Sequence, residues 1–172
     1  MLTSPRLFVR LLMFVCLCGS APAAEDSVPA IDAERALAQL QEGNTRFVSQ
    51  NVSSGKPNAS RRAATAQAQH PVAIIVGCAD SRTSPEIIFD QNIGDLFVIR
   101  TAGNLVDDYA LGSIEYAVEH LGARLVVVLG HARCGAIAAA VASDKAPGHI
   151  ATLCVTSFRP CKLRTTTKAT FS

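Results

Sequence analysis

Three apolar runs, PVAIIVGCA at 71–79, DLFVIRTAGN at 95–104 and ARLVVVLGH at 123–131, restrict the folds open to this chain more than any other feature. Each is nearly continuous and rich in Val and Ile, as a strand buried on both faces should be. Helical patterns lie between and after them. In TSPEIIFDQ, Ser84 stands as a cap and Pro85 at the first helical position. In DDYALGSIEYAVEHLG, Leu111, Ile114, Val118 and Leu121 form one stripe, with Gly122 as the stop. GAIAAAVAS opens a further helix after the third run. The alternation predicts an α/β fold, a parallel β-sheet core flanked by helices and joined by right-handed crossovers. Upstream, IDAERALAQLQEGNTRFVSQ reads as an amphipathic helix with Asp32 as N-cap, Ala33, Leu37 and Leu40 on the apolar side, and Gly43 as the stop. A polar stretch containing Gly55 and Pro57 follows it.

With 172 residues, 49% hydrophobic and 17% charged, the chain has material for one core. The first residues are not expected to join it. Arg6 and Arg10 flank or precede a short apolar stretch, LLMFVCLC, and a small-residue site at Ala21–Ala23 follows, so residues 1–23 read as a secretory signal peptide. The apolar stretch falls short of the roughly 20 residues a membrane span requires. Export to the periplasm, with no membrane attachment after cleavage, is the corresponding expectation. Loss of Arg6 and Arg10 takes the 16 Lys and Arg to 14, equal to the 14 Asp and Glu. A neutral domain has no electrostatic footprint for nucleic acid, so no nucleic-acid partner is expected.

In parallel sheets, ligands gather beyond the carboxyl ends of the strands. The first run ends in Cys78, followed by Asp80 and Arg82; the third ends in His131, followed by Cys134. In extended chain, Cys78, Asp80 and Arg82 project to one side, and His131 and Cys134 share the face of a first helical turn. Two thiolates and an imidazole are three ligands of the kind Zn2+ takes, and a catalytic site keeps the fourth tetrahedral position for water or substrate. The residues alone also leave open a disulfide between Cys78 and Cys134.

GCADSR, GDLFVIRTAGN, GSIEYAV and GHARCGA, in that order, resemble the β-class carbonic anhydrases, and LQEGNTRFV resembles that family's N-terminal helix. The resemblance runs over most of 24–160. It implies a zinc enzyme interconverting CO2 and bicarbonate, with Cys78, His131 and Cys134 as metal ligands. It also implies that Asp80 pairs with Arg82 in an open state and becomes the fourth ligand in a closed one. Gln69, Phe89, Tyr116 and Gly135 match substrate-pocket positions. A homodimer or higher homo-oligomer is implied too. The same fold admits a hydrolase of carbon disulfide or carbonyl sulfide, or an inactive zinc-binding relic.

The resemblance ends near Pro160. From Lys145 onward the chain has five basic residues and no acidic one, and residues 161–172 form a divergent basic tail. The family's last strand and helix have no counterpart here, as in a truncated or frameshifted product. The third strand is then expected to show an uncovered apolar edge. Cys154 and Cys161 are left either as a disulfide or as two thiols.

Overall fold

Strand β1 (Ala73–Cys78) is buried at every residue, which accounts for its unbroken apolar sequence. A computed structural model describes residues 31–52, 59–142 and 146–157, the side chains of 154–157 excepted. The expected signal segment, the basic tail and the Cys154 and Cys161 side chains lie outside these. β1 is the centre of a three-stranded parallel sheet in the order β2-β1-β3, with β2 at Leu96–Thr101 and β3 at Val126–Leu129. The described residues therefore form the expected parallel sheet flanked by helices.

Alternating side chains of β1 feed two layers. Ala73 and Ile75 pack with Leu40, Phe89 and Leu96 on one face. Ile74 packs with Ala117 and Ala123 on the other. Full burial of each large aliphatic side chain contributes about 1.5–3 kcal/mol, so the layers hold the central strand from both sides. Helices α1 (Ala33–Val48) and α3 (Pro85–Ile88) serve the first layer, and α4 (Asp108–Glu119) serves the second.

Helix α1 starts as expected, with the Asp32 carboxylate accepting from the Arg35 amide at 2.8 Å. Gly43 does not stop it. The helix continues to Val48, and the buried positions are Ala36, Leu40, Gly43 and Asn44. A Cβ on Gly43 would lie 1.7 Å from the Phe89 carbonyl oxygen, so this glycine permits α1 to press against the end of α3. Asn44 donates to the Ile88 carbonyl at 3.2 Å, and Arg46 pairs with buried Asp90 at 2.5 Å across the same contact.

The stripe on α4 also differs from expectation. Leu111 and Val118 are exposed, while Ala110 and Ala117 are buried and Ile114 and Leu121 pack against the second layer. Small alanines bring the helix close to the sheet, and the larger residues around them remain outside. Gly122, at φ +70°, ends the helix region as expected. Ser84 caps α3 by position only, because its hydroxyl donates to the Glu86 carboxylate at 3.1 Å. Two helices went unread in the sequence: α2 (Ala59–Ala64), in the polar stretch, and α6 (Ile150–Ser157), which packs on α5 (Gly135–Ala142).

Strand β3 is an edge among the described residues, with Val126 44% and Val128 68% exposed. No described helix is long and apolar enough to cross a membrane.

Two glycine substitutions separate close approach from conformational freedom. Gly43→Ala forces α1 off α3 and lowers stability by about 1–3 kcal/mol, read as the denaturant midpoint. Gly112→Ala, inside α4 with nothing within 4 Å of the new Cβ, raises it by about 0.5–1 kcal/mol. Equal effects at both positions would contradict the packing described.

Candidate metal centre

β1 pairs with β2 on one side and β3 on the other, so the chain reverses its direction of sheet growth at β1. The crevice between β1 and β3 is where an open α/β sheet receives its ligand. Cys78 is the last residue of β1, and His131 and Cys134 follow β3. The parallel register, with Val76 opposite Val128 and Gly77 opposite Leu129, brings these ends level. The Cys78 and Cys134 sulfurs are 3.9 Å apart. With a His131 ring nitrogen, the donor atoms all lie within 4.8 Å of one another.

His131 and Cys134 converge through a turn, not through the expected helical turn. Arg133 takes φ +54°, and α5 begins only at Gly135, with the Cys134 carbonyl accepting from the Ala138 amide at 3.0 Å. The left-handed residue folds the two ligands onto the same side. Asp80 and Arg82 likewise meet through a turn, closed by the Thr83 amide on the Asp80 carbonyl at 3.1 Å, not along extended chain.

The imidazole is prepared to coordinate. Its Nδ1 lies 3.1 Å from the Ala132 carbonyl. A carbonyl only accepts, so that contact places the ring proton on Nδ1 and the lone pair on Nε2. Nε2 is buried and has no hydrogen-bond partner among the described residues. A buried acceptor without a partner beside two thiols fits a metal ligand. Two sulfurs and one nitrogen suit a borderline-soft divalent cation.

The site's charges are set by close contacts. Burial pushes the Cys78 thiol up, but the Gly103 amide, His131, the Asp80 backbone and Cys134 together bring it down to about 7. The Cys78 sulfur raises the His131 pKa, against its burial. Arg82 grips Asp80 with a two-pronged fork, Nε on Oδ1 at 2.8 Å and Nη2 on Oδ2 at 2.6 Å, and its amide adds a bond to Oδ1 at 3.0 Å. These bonds hold the Asp80 carboxyl well below the usual range and raise the Arg82 pKa. The nearer Asp80 oxygen is 3.9 Å from His131 Nε2.

The structure thus brings five sequence-predicted residues together: Cys78, Asp80, Arg82, His131 and Cys134. The others are spread differently. Gln69 is exposed ahead of β1, and Gly135 follows Cys134 at the start of α5. Phe89 is fully buried in the core with Leu40 and Ile75. Tyr116 is half exposed on α4, its ring near those of Phe97 and His120. Sequence reasoning missed Arg100, which donates to the Cys78 carbonyl at 2.8 Å and the Asp80 carbonyl at 2.5 Å. It also missed Gly103, whose amide lies 3.4 Å from the Cys78 sulfur. Their available signal was a charged residue and a Gly-Asn pair at the carboxyl end of β2.

The sequence profile described as carbonic anhydrase matches residues 73–171. Carbonic anhydrase 2 of Mycobacterium tuberculosis is 54% identical over 104 residues, 60% of this chain and 50% of that protein. The carbonic anhydrase of Mycolicibacterium smegmatis is 50% identical over the same length, with the same shares covered. Among solved structures, the Coccomyxa β-carbonic anhydrase in complex with acetazolamide superposes with a TM-score of 0.54 at 32% identity, over 69% of this chain and 54% of that one. A tetrameric β-carbonic anhydrase from Sordaria macrospora gives 0.54 at 30% identity, over 71% and 60%. The chain spans about half the length of these curated relatives.

Because protons compete with a metal for the same atoms, affinity must depend on pH. Cys78 is half ionised at about 7. Above that its thiolate is already free for a cation; below it each metal must displace a proton, and the raised His131 adds a second competitor. Competition against a chromophoric chelator should show affinity falling as pH drops through about 7. A flat profile across this range would contradict the ligand set.

Proposed function

The chain belongs to the β-class carbonic anhydrase family, and on that premise we propose that it catalyses reversible hydration of CO2 to bicarbonate and a proton, with zinc held by Cys78, His131 and Cys134. The observation that carries the reading is the cluster of two sulfurs and one imidazole at the β1/β3 crevice, with its open buried nitrogen. Such a donor set fits zinc and leaves one tetrahedral position outside the protein's own ligands. When bound, zinc supplies Lewis acidity, which in the best-known neutral-ligand site lowers the pKa of water from 15.7 to about 7.

The chain's residues set how that acidity is used. Cys78 and Cys134 bring two negative charges, which weaken the acidification and move activity toward neutral to alkaline pH. Asp80 accepts a hydrogen bond from the reacting water and aims an oxygen lone pair at the CO2 carbon. Arg82 keeps Asp80 ionised and turned away from the metal, since its fork occupies both carboxylate oxygens. Released from Arg82, Asp80 would be a further residue able to hold the metal, which is the closed state proposed for this site.

Tyr116 and Gly135 enter the proposal as substrate-pocket positions on this chain, Gln69, ahead of β1 and away from Cys78, would reach a pocket only from a second copy, and Phe89 belongs to the core beside Leu40 and Ile75. Self-association is part of it as well: the exposed apolar residues of α4 and β3 need cover, and the Sordaria relative is described as tetrameric. We also propose that residues 1–23 act as an export signal and that the reaction takes place in the periplasm.

Zinc content and CO2 hydration measured on one soluble fraction of the chain from residue 24 onward test the whole reading. About one zinc per chain, with hydration rising from neutral to alkaline pH, is expected. A folded, zinc-loaded but inactive sample would contradict the activity.

Two variants divide the roles of the carboxylate pair. Asp80→Asn retains zinc while turnover falls about 10- to 100-fold; loss of the metal instead would overturn the assigned role. Arg82→Ala frees the Asp80 carboxylate to compete with hydroxide for the fourth position, so the pH midpoint of activity moves up. An unchanged midpoint would remove Arg82 from the mechanism.

A further inference from the structure

The loop after β2 contributes no donor atom to the sulfur–imidazole cluster, yet its Gly103 amide lies 3.4 Å from the Cys78 sulfur and its Asn104 side chain bonds to both ligand-bearing strands. Asn104 occupies the central position. It takes φ +58°, a left-handed conformation that asparagine tolerates better than most residues. Its partly buried side-chain amide donates to the Val76 carbonyl at 3.1 Å and to the Leu129 carbonyl at 2.6 Å. Val76 lies on β1 and Leu129 on β3, so both amide hydrogens are used across the crevice between those strands.

The two acceptors stand in equivalent places. Val76 precedes Cys78 by two residues, and Leu129 precedes His131 by two. One planar amide therefore ties together the points from which the two ligand-bearing segments leave the sheet. β1 and β3 are also paired there, Gly77 opposite Leu129, but the ladder ends at that pair. Beyond it the ligand segments diverge into turns, joined there by the long Arg82 Nη2 bond to the Arg133 carbonyl at 3.5 Å, and among the described residues Asn104 is the last side chain that ties the strands themselves.

We propose that Asn104 is a positioning residue of the metal centre, fixing the separation of Cys78 from His131 and Cys134. This rests on the metal-binding reading of those three residues. Removing the clamp lets the two segments drift apart, which weakens a ligand set that must close on one ion. Loss of an outer-shell partner of this kind costs about 10- to 100-fold in metal affinity.

The test is Co2+ titration of the full chain, comparing wild type with Asn104→Gly and Asn104→Asp. Asn104→Gly keeps the left-handed backbone without strain and removes only the amide. Asn104→Asp keeps the shape but sets a carboxylate against two carbonyl oxygens. Both variants should keep the wild-type far-ultraviolet circular dichroism, bind Co2+ about 10- to 100-fold more weakly, and show altered thiolate-to-cobalt charge-transfer and visible d–d bands. A purely structural asparagine would lower stability and leave the cobalt spectrum unchanged. Wild-type uptake with unchanged affinity and spectrum in Asn104→Gly overturns this inference alone. Failure of the wild-type chain to take up Co2+ overturns the metal reading and this inference with it. Should Asn104→Gly not fold, Asn104→Asp decides by the same two readouts.

Discussion

The parallel pairing of β1 with β3 is the constraint on which the site depends. Cys78 and Cys134 are 56 residues apart in sequence, and nothing local draws them together. Register does so: with Gly77 opposite Leu129, the segments that leave the two strands begin at the same level of the sheet. Hydrogen bonding between backbones thereby becomes the ruler that sets distances between sulfur and nitrogen. The layers on either side of β1 hold that ruler in place, through Leu40 and Phe89 on one face and Ala117 and Ala123 on the other.

Beyond the sheet, polar contacts take over from packing. Arg100 holds the carbonyls on both sides of the Cys78–Asp80 step, and Arg82 holds the Asp80 carboxylate. The Gly103 amide lies against the Cys78 sulfur, and Asn104 spans the two strands. A cluster with two potential thiolates is costly to assemble from neutral neighbours. The Arg82 guanidinium on the Asp80 carboxylate and the Gly103 amide on the Cys78 sulfur offset that cost. The Gly103 amide, together with His131, the Asp80 backbone and Cys134, lowers the Cys78 thiol to about 7, so the ligand is available to a cation without an alkaline environment.

Much of this was legible in the sequence because it is periodic or motif-like. Continuous Val and Ile runs revealed all three strands, although only β1 is buried throughout and β2 and β3 are partly exposed, and strand ends marked the crevice where Cys78, His131 and Cys134 meet. Less legible was anything decided by close approach. Gly43 has the appearance of a helix stop, yet it is buried mid-helix because the Phe89 carbonyl leaves no room for a Cβ. Leu111 and Val118 look like the core stripe of α4, yet Ala110 and Ala117 are buried, because proximity to the sheet favours small residues. The turns through Arg133 and Thr83 were hidden as well, since a left-handed arginine has no sequence signature. Asn104 was unread for a related reason: its partners are backbone carbonyls, which carry no side-chain code.

X-ray absorption at the zinc edge of the metal-loaded chain counts the atoms around the ion. The coordination expected is two sulfurs at about 2.3 Å with nitrogen or oxygen neighbours at about 2.0–2.1 Å completing a four-coordinate shell. A first shell without sulfur, or a folded chain that excludes zinc because Cys78 and Cys134 are joined as a disulfide, would contradict it.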